Sequence, residues 1–392
     1  GGPSLDELLP WVKQHQDEAL IIAVSRISAK LIESEIIPDI IVSIDPQDIS
    51  FTVSKEMLEF GDKTLLVNAN ALSPQLLSQW CGQSAYLGAQ LPWQSEKETH
   101  NIKIVGPTVT NSAINLAVDM ECTQLILAGV DLSYSQEGST HASGSQEHAS
   151  GPHTCIINHQ VITNDNQSAP TNSALYEAIE SLKLQIEPAI SKECRIINPA
   201  KGAAKIENIE HINIDKIEIT NQLTNSAWSI IQSAYPKHDN SKHESHYKEM
   251  SRTLNHASVK LKKIETLANN ALAHNQKLSH SKNDDLSNKL KHKIDNVEKQ
   301  LNKEFKELGD SIKRYNANHF SQALNINNDN DQPLMLDTYN QAYKEDENGL
   351  SLQIKQSQHH LQSRIDKEKD RHDFILIRKQ RDKNRQLEKS IM

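Results

Sequence analysis

The segment LILAGVDLSYSQEGSTHASG, residues 125–144, places an aspartate directly after a hydrophobic run and a histidine ten residues later. The run has the composition of a buried strand, and the residues after Asp131 are mostly small and polar. A histidine in such a loop can act as a general acid or base, and a carboxylate can orient it or hold a substrate. Asp131 and His141 are therefore the candidate catalytic residues.

Two glycine-containing turns lead into helix patterns, GGPSL at residues 1–5 and GPTVTNSA at residues 106–113. Backbone N–H groups in such a turn can bind a phosphate, but the same residue types also cap helices without any ligand. Both interpretations stay open for each turn. The candidate nucleotide-binding residues in them are Gly1, Gly2, Pro3, Ser4, Gly106, Thr110, Asn111 and Ser112.

Polar residues also stand where apolar runs end. Ser25-Arg26 follows one run, and Asp45 follows another and is itself followed by a proline. A carboxylate at that point could contact a ribose, or it could simply cap the next helix. The candidate ligand-binding residues at these strand ends are Ser25, Asp45, Asn68 and Gly129.

Four histidines, at positions 141, 148, 153 and 159, lie in the polar segment 132–170, and their spacing fits no common metal motif. We therefore expect no metal ligands there, and a single histidine acting as acid or base is the better interpretation. The four cysteines, Cys81, Cys122, Cys155 and Cys194, lie far apart in the sequence. With no signal peptide and no apolar run of 18 residues, the sequence predicts a cytoplasmic protein with free thiols.

Charge is distributed unevenly along the 392 residues. Residues 1–215 hold 12 basic and 27 acidic side chains, a formal net charge of −15, whereas residues 216–392 carry +6. An acidic first half argues against nucleic acid as the main partner, and the small positive charge of the second half is too weak to indicate one.

The first half alternates short apolar runs with helix patterns. Runs at 19–25, 39–45, 64–70 and 124–131 are continuous enough for strands covered on both faces, and helix patterns separate them. The prediction is an α/β fold, a Rossmann-like parallel sheet with helices on both faces, which places ligands beyond the carboxyl ends of its strands.

From about residue 215 the apolar residues follow a helical period. A long amphipathic helix is predicted from Leu286, Leu290, Ile294, Val297, Leu301, Phe305, Leu308 and Ile312, and a further charged helix is predicted over about 350–386. We expect an all-α C-terminal domain whose apolar stripe is a packing seam. The predicted domains are therefore 1–212 and 213–392.

Four segments together resemble one family: GGPSL at the start, PDIIVSIDP at 38–46, the stretch 106–144 and INPAKGAAKI at 197–206. In this order they are similar to the motility-associated factor (Maf) family of bacterial flagellin glycosyltransferases. The most specific part is the strand ending in G-x-D-L-x-Y followed by T-H-A. The family's opening motif is G-x-G-P-S-L, so we expect its first glycine and the strand before it to lie upstream of Gly1.

The resemblance implies a sialyltransferase-like nucleotide-binding fold with a helical C-terminal region. It implies transfer of a nonulosonic acid, of pseudaminic or legionaminic type, from a CMP-activated donor to Ser or Thr of flagellin. His141 would then be the base for the acceptor hydroxyl, or would steady the leaving phosphate, and Asp131 would orient it or hold the donor. No cofactor is expected, and the need for a divalent metal stays open.

Two other hypotheses remain. A related branch of the superfamily contains archaeal 6-hydroxymethylpterin pyrophosphokinases, which would need ATP, Mg²⁺ and metal-binding carboxylates, for which Asp39 and Asp45 are candidates. Alternatively, the chain is a non-catalytic scaffold that binds flagellin or a nucleotide, with the helical tail as its working surface.

Overall fold

The computed structural model describes residues 1–308 apart from 46, 48, 62, 70–71, 90–100, 150, 152–155, 224, 235–239 and 280–282. Contacts divide the chain into two units. The first comprises Gly1–Gln90 and Glu98–His238, and the second comprises Leu91–Lys97 and Asp239–Met392. The helix predicted over 350–386 lies outside the described residues.

The first unit is an α/β structure. Its helices are α1 (Leu5–Gln14), α2 (Ser28–Glu33), α3 (Ile49–Ser54), α4 (Pro74–Gln79), α5 (Val109–Asp119), α6 (Gln146–Ala149), α7 (Ser173–Ile190) and α8 (Ala227–Ala234). Its strands are β1 (Ile22–Val24), β2 (Ile40–Ser43), β3 (Leu65–Ala69), β4 (Ser84–Leu87), β5 (Gln124–Ile126), β6 (His159–Ile162), β7 (Ser168–Thr171) and β8 (Arg195–Ile197). Short 3₁₀ turns occupy Ser25–Ile27, Lys55–Phe60 and Ile214–Lys216.

Four strands form a parallel sheet in the order β1-β2-β3-β4, with Ile22 opposite Ile40 and Ile40 opposite Leu65. Strands β5 and β8 form a separate parallel pair, and β6 and β7 form an antiparallel hairpin. The predicted Rossmann-like parallel arrangement is therefore confirmed. Strand β4 and the β6–β7 hairpin were not predicted from the sequence.

Helices cover both faces of the four-stranded sheet, because neighbouring strand residues point to opposite sides. On one face Ile41 and Leu66 pack among residues of α1, α2 and α4. On the other face Val42 and Val67 pack against α5. This two-sided burial is why each of these strands reads as a continuous apolar run.

Strands β1 and β5 are both edge strands of the sheets described here. Both also line a cavity of about 510 Å³, which helices α1 and α5 line as well. Its lining is mostly aliphatic, with Ile22 from β1, Leu125 from β5 and Ile114 from α5. We call this space the second cavity.

The segment after residue 212 begins within the first unit. Leu223 donates its backbone N–H to the carbonyl of Glu18 (3.0 Å), and Gln124 donates to the carbonyl of Glu218 (3.0 Å). Trp228 and Ile231 of α8 pack against the face of the sheet that α5 covers. The domain boundary predicted at 212 thus lies inside a segment that packs on the sheet.

The second unit is helical in its described part, with α9 (Asn240–Ser279) and α10 (Asp284–Glu304) in contact with each other. Its buried apolar residues include Leu261, Ile264 and Leu290. Leu290 belongs to the predicted amphipathic stripe, and the described part of this region confirms the all-α prediction. Among the described residues, no helix combines the length and the apolar character that a membrane crossing needs.

Candidate functional site

A cavity of about 530 Å³ lies where strands β1, β2 and β5 end. We call it the first cavity. The residues following these strands line it, together with the N-terminal turn, the turn before α5 and the loop that carries His141. Ligands of open α/β sheets bind at this end of the strands, and the volume falls in the range of small-molecule sites.

Asp131 connects the end of β5 to the N-terminal turn. Its carboxylate accepts a hydrogen bond from the backbone N–H of Ser4 (3.2 Å), and its carbonyl accepts one from Ala204 (2.7 Å). The side chain is buried. Burial raises the pKa of Asp131 above its usual range, and hydrogen bonds from Ser4 offset only part of this shift. Asp131 is therefore easier to protonate than an exposed aspartate.

The N-terminal turn fits closely onto the residues after β5 because both contain glycine. Gly2 donates its N–H to the carbonyl of Gly129 (2.7 Å), and a Cβ at Gly2 would collide with the Asp131 carboxylate. Gly129 has φ +68, where glycine is favoured, and a Cβ there would press on Leu5. The spacing of GGPSL and AGVD thus reflects direct backbone contact between the two segments.

His141 is half-buried and lines the same cavity as Asp131. Its Nδ1 lies 2.9 Å from the hydroxyl of Thr140, so Thr140 rather than Asp131 is the described partner of that nitrogen. The loop is attached to the N-terminal turn through Ala142, whose N–H donates to the carbonyl of Gly1 (3.0 Å). Asp131 and His141, ten residues apart in sequence, therefore line one cavity.

An ion pair holds the His141 loop in place. Lys30 of α2 lies 2.9 Å from a carboxylate oxygen of Asp6 and donates to the hydroxyl of Ser143 (2.7 Å). Asp6 in turn accepts from the N–H of Ser143 (2.9 Å). Burial alone would raise the pKa of Asp6, but the hydrogen bonds from Ser143 and Lys30 outweigh it and lower the pKa. The loop is thereby fixed to α1 and α2.

The predicted nucleotide-binding residues divide into two groups. Those that line the first cavity are Gly1, Gly2, Ser25, Asp45, Thr110 and Gly129. Those outside the lining found for the described residues are Pro3, Ser4, Asn68, Gly106, Asn111 and Ser112.

Three members of the second group have structural partners instead. Asn111 donates to the carbonyl of Ala178 (3.0 Å), Ser112 to that of Val105 (3.2 Å), and Asn68 to that of Ala69 (2.8 Å). All three side chains are buried. In the turn before α5, the N-cap is Thr108, which accepts from the N–H of Asn111. Asn111 and Ser112 therefore make contacts within the protein, and the N-cap of α5 is Thr108.

The candidate magnesium pair Asp39 and Asp45 is not a pair in space. Asp39 precedes β2 and Asp45 follows it, so the six intervening steps of extended chain separate them by roughly 20 Å. Carboxylates that share a Mg²⁺ ion each lie about 2 Å from it. Asp39 instead accepts from the N–H of Ile21 (2.9 Å), and burial raises its pKa. The prediction of a shared metal site at these two residues is wrong.

The other loop histidines have separate surroundings. His159 in β6 stacks on Tyr176 with ring centroids 4.5 Å apart, and His148 is exposed beside Ser139. His153 lies outside the described residues. Within the described part of the chain, no group of three or more His, Cys, Asp or Glu side chains is arranged to hold a metal ion.

Several residues that line the first cavity were not selected as candidates from the sequence, including Arg26, Lys30, Ser50 and Ser54. Arg26 had a visible signal, because it follows β1 directly beside the selected Ser25. No sequence pattern indicated Lys30, because its contact with Ser143 joins residues that are 113 positions apart.

Comparison with known proteins adds to this geometry. Residues 1–137 match the model of the family described as 6-hydroxymethylpterin diphosphokinase MptE-like. The solved structure of a MAf glycosyltransferase from Magnetospirillum magneticum AMB-1 is similar, with a TM-score of 0.53 at 14% sequence identity. The similarity covers 96% of this chain and 53% of that chain, so the chain spans about half the length of the matched structure.

No curated protein matches the chain. At 14% identity the structural likeness shows the fold, and the family match concerns the part that holds Gly2, Asp45 and Asp131. The structural comparison agrees with the Maf resemblance, and the family match includes two of its four segments and most of a third. Residues 1–137 are therefore similar to the MptE-like family, and the fold of the chain is similar to that of about half of a MAf glycosyltransferase.

Proposed function

We propose that the chain is a glycosyltransferase that moves a nonulosonic acid, of pseudaminic or legionaminic type, from a CMP-activated donor to a serine or threonine hydroxyl of flagellin. The observation that carries this proposal is the first cavity, where His141 and Asp131 meet at the ends of parallel strands. The fold shared with a Maf glycosyltransferase supports it.

The reaction needs a base and a nucleotide site. The acceptor oxygen forms a bond to the anomeric carbon, the carbon–oxygen bond to the phosphate breaks, and CMP leaves with the bonding electrons. The acceptor hydroxyl is a weak nucleophile until its proton is removed. His141 takes that proton, since an imidazole can accept one near neutral pH and Thr140 orients the ring through Nδ1.

Asp131 has a positioning role in this mechanism. Its carboxylate fixes the turn of Gly2 and Ser4, whose backbone faces the cavity end of the strands. A buried carboxyl group with a raised pKa also repels a nearby phosphate less than an exposed carboxylate would. The helical second unit serves as the binding region for the acceptor protein.

A second candidate function is supported by the family match over residues 1–137. A pterin diphosphokinase would transfer diphosphate from ATP to the hydroxyl of 6-hydroxymethylpterin, again with a base next to a nucleotide. It would use Mg²⁺. Since Asp39 and Asp45 lie at opposite ends of β2, other residues would have to hold the ion.

The test is a direct assay of the full chain with both sets of substrates. In one reaction the chain is incubated with a CMP-activated nonulosonic acid and unmodified flagellin, and the mass of the flagellin is measured by mass spectrometry. In the other it receives ATP, Mg²⁺ and 6-hydroxymethylpterin, and the pterin product is followed by chromatography. A mass gain of one sugar per modified site supports the proposal, whereas pterin diphosphate with unmodified flagellin would replace it with the second candidate.

A further inference from the structure

A group of polar side chains lies at the part of the first cavity formed by the ends of β1 and β2. It contains Arg26 and three serines, Ser25, Ser50 and Ser54, all of which line the cavity. The mechanism above uses none of them. Arginine and hydroxyl groups are hydrogen-bond donors that bind oxyanions, so this part of the cavity has the chemistry of an anion site.

The hydroxyl groups of Ser25, Ser43 and Ser54 form a buried trio. Oγ of Ser43 lies 3.0 Å from Oγ of Ser25, and Oγ of Ser54 lies 3.1 Å from it. Ser43 and Ser54 are the donors of these two contacts, so the hydroxyl proton of Ser25 is not used within the trio. Ser25 and Ser54 both line the cavity, so that proton can be donated into it.

Ser50 supplies independent evidence for a missing ligand. Its side chain is only 3% exposed, yet its hydroxyl has no hydrogen-bond partner among the described residues. Buried polar groups are nearly always paired, and an unpaired one lowers stability. Because Ser50 lines the first cavity, a ligand atom in that cavity can be the partner.

Arg26 provides the positive charge. Its guanidinium Nη2 lies 3.4 Å from Oδ2 of Asp45, and the Asp45 carboxylate also accepts from the N–H of Gln47 (3.0 Å). A guanidinium carries five N–H donors in a planar fork, so an arginine that contacts Asp45 can bind an oxyanion as well. Lys30, a second basic side chain among the described lining residues, is engaged with Asp6 and Ser143.

We propose that Arg26, Ser50 and the Ser25–Ser54 hydroxyl pair form a subsite for an oxyanion of the nucleotide-sugar donor. Asp45 positions the guanidinium. This inference rests on the proposed function in that the donor supplies the oxyanion, either as the phosphate of CMP or as the carboxylate of the nonulosonic acid. Both present oxygen atoms that accept hydrogen bonds from this set of donors.

The experiment is calorimetric titration of the full chain without metal. The ligands are cytidine, CMP, a CMP-activated nonulosonic acid and ATP. The proteins are the wild type, Arg26→Gln, Ser50→Ala and the control Arg195→Gln, whose arginine pairs with Glu210 at an exposed position. Thermal melts of each variant show that it is folded. Ser50→Ala is expected to be at least as stable as the wild type, because it removes an unpaired hydroxyl.

We expect Arg26→Gln to weaken CMP binding by roughly 10- to 100-fold and Ser50→Ala by about 5- to 10-fold, with cytidine binding unchanged, since charge-assisted hydrogen bonds are lost. If CMP is unaffected and only the nucleotide sugar binds more weakly, the oxyanion is the sugar carboxylate, which also supports the subsite.

The remaining outcomes separate the subsite from the proposed function. Wild-type affinity of both variants for every ligand would overturn the subsite and leave the proposed function standing. Binding of ATP but not of CMP compounds, with loss in Arg26→Gln, would keep the subsite and overturn the function. Equal weakening of cytidine and CMP, or no ligand binding by the wild type, would overturn the subsite.

Discussion

The two cavities of the first unit have nearly the same volume, about 530 and 510 Å³, and Gly1 lines both. Their linings differ. The first contains Arg26, Asp131 and His141 at the ends of strands, whereas the second is walled mainly by aliphatic side chains of β1, β5 and α5. Volume therefore does not identify the functional cavity here.

The difference arises from where each cavity meets the sheet. At the carboxyl ends of the strands the chain leaves regular structure, and polar side chains such as Ser25, Asp45 and Asp131 are presented together. Between β1 and β5 the walls are strand and helix surfaces that are apolar because they belong to the core. We thus expect changes in the first cavity to affect chemistry and changes in the second to affect stability.

The largest effect is expected from His141→Gln. Removal of the base should reduce the rate of sugar transfer to flagellin by roughly 10²- to 10⁴-fold, while affinity for CMP stays about the same. His148→Gln is the matched control, because this histidine lies nearby in helix α6 and is exposed. Transfer at the wild-type rate by His141→Gln would show that His141 is not the base.

In the second cavity, Ile114→Ala should lower the free energy of unfolding by about 2–4 kcal/mol, since it removes buried methyl groups from the lining. Urea denaturation measures this loss, and calorimetry should show unchanged affinity for CMP. Leu184→Ala, at a side chain that is 68% exposed, controls for the substitution itself. Weaker CMP binding without a loss of stability would indicate that CMP binds in the second cavity, which would contradict our assignment of the donor site to the first.

Gly2→Ala tests the contact between the N-terminal turn and Asp131. The added Cβ would collide with a buried carboxylate, so we expect a loss of about 1–3 kcal/mol in stability together with slower transfer. Gly202→Ala is the control, because nothing lies within 4 Å of a Cβ added there. Equal stability of the two variants would show that the turn tolerates displacement.

The smallest effect is expected from Asp39→Asn, at the amino end of β2 and away from the first cavity. Burial raises the pKa of Asp39, so the folded chain binds this proton more tightly than the unfolded chain. Wild-type stability should therefore fall as pH rises from about 4 through the raised pKa. Asp39→Asn should not lose this stability, because asparagine does not titrate. Urea denaturation between pH 4 and 7 measures the gap between the two proteins, which should widen with pH; a narrowing gap would contradict the assignment.

Much of the fold could be predicted because the strands that mattered are buried on both faces. Strands β1, β2, β3 and β5 all fall within predicted apolar runs. Strand β4 was not predicted because exposed residues alternate along it and it does not form a continuous apolar run. The β6–β7 hairpin was not predicted for a similar reason, since its residues are largely polar and partly exposed.

The site was predicted less completely, and the reason is chemical. Asn111 and Ser112 have the residue types of a nucleotide-binding turn, but helix capping selects the same types, and only the contacts with Ala178 and Val105 separate the two. The bond between Lys30 and Ser143 depends on tertiary packing, which no local pattern reports. That Asp131 and His141 line the same cavity could be predicted, because both follow strand β5 in the sequence.

The most direct test of the central claim is a crystal structure of the full chain grown with CMP. The account predicts CMP in the first cavity, with its phosphate within hydrogen-bonding distance of donors at the ends of β1 and β2 and its position close to His141. CMP bound in the second cavity, or a first cavity that stays without CMP while calorimetry shows saturation, would contradict the assignment of the donor site.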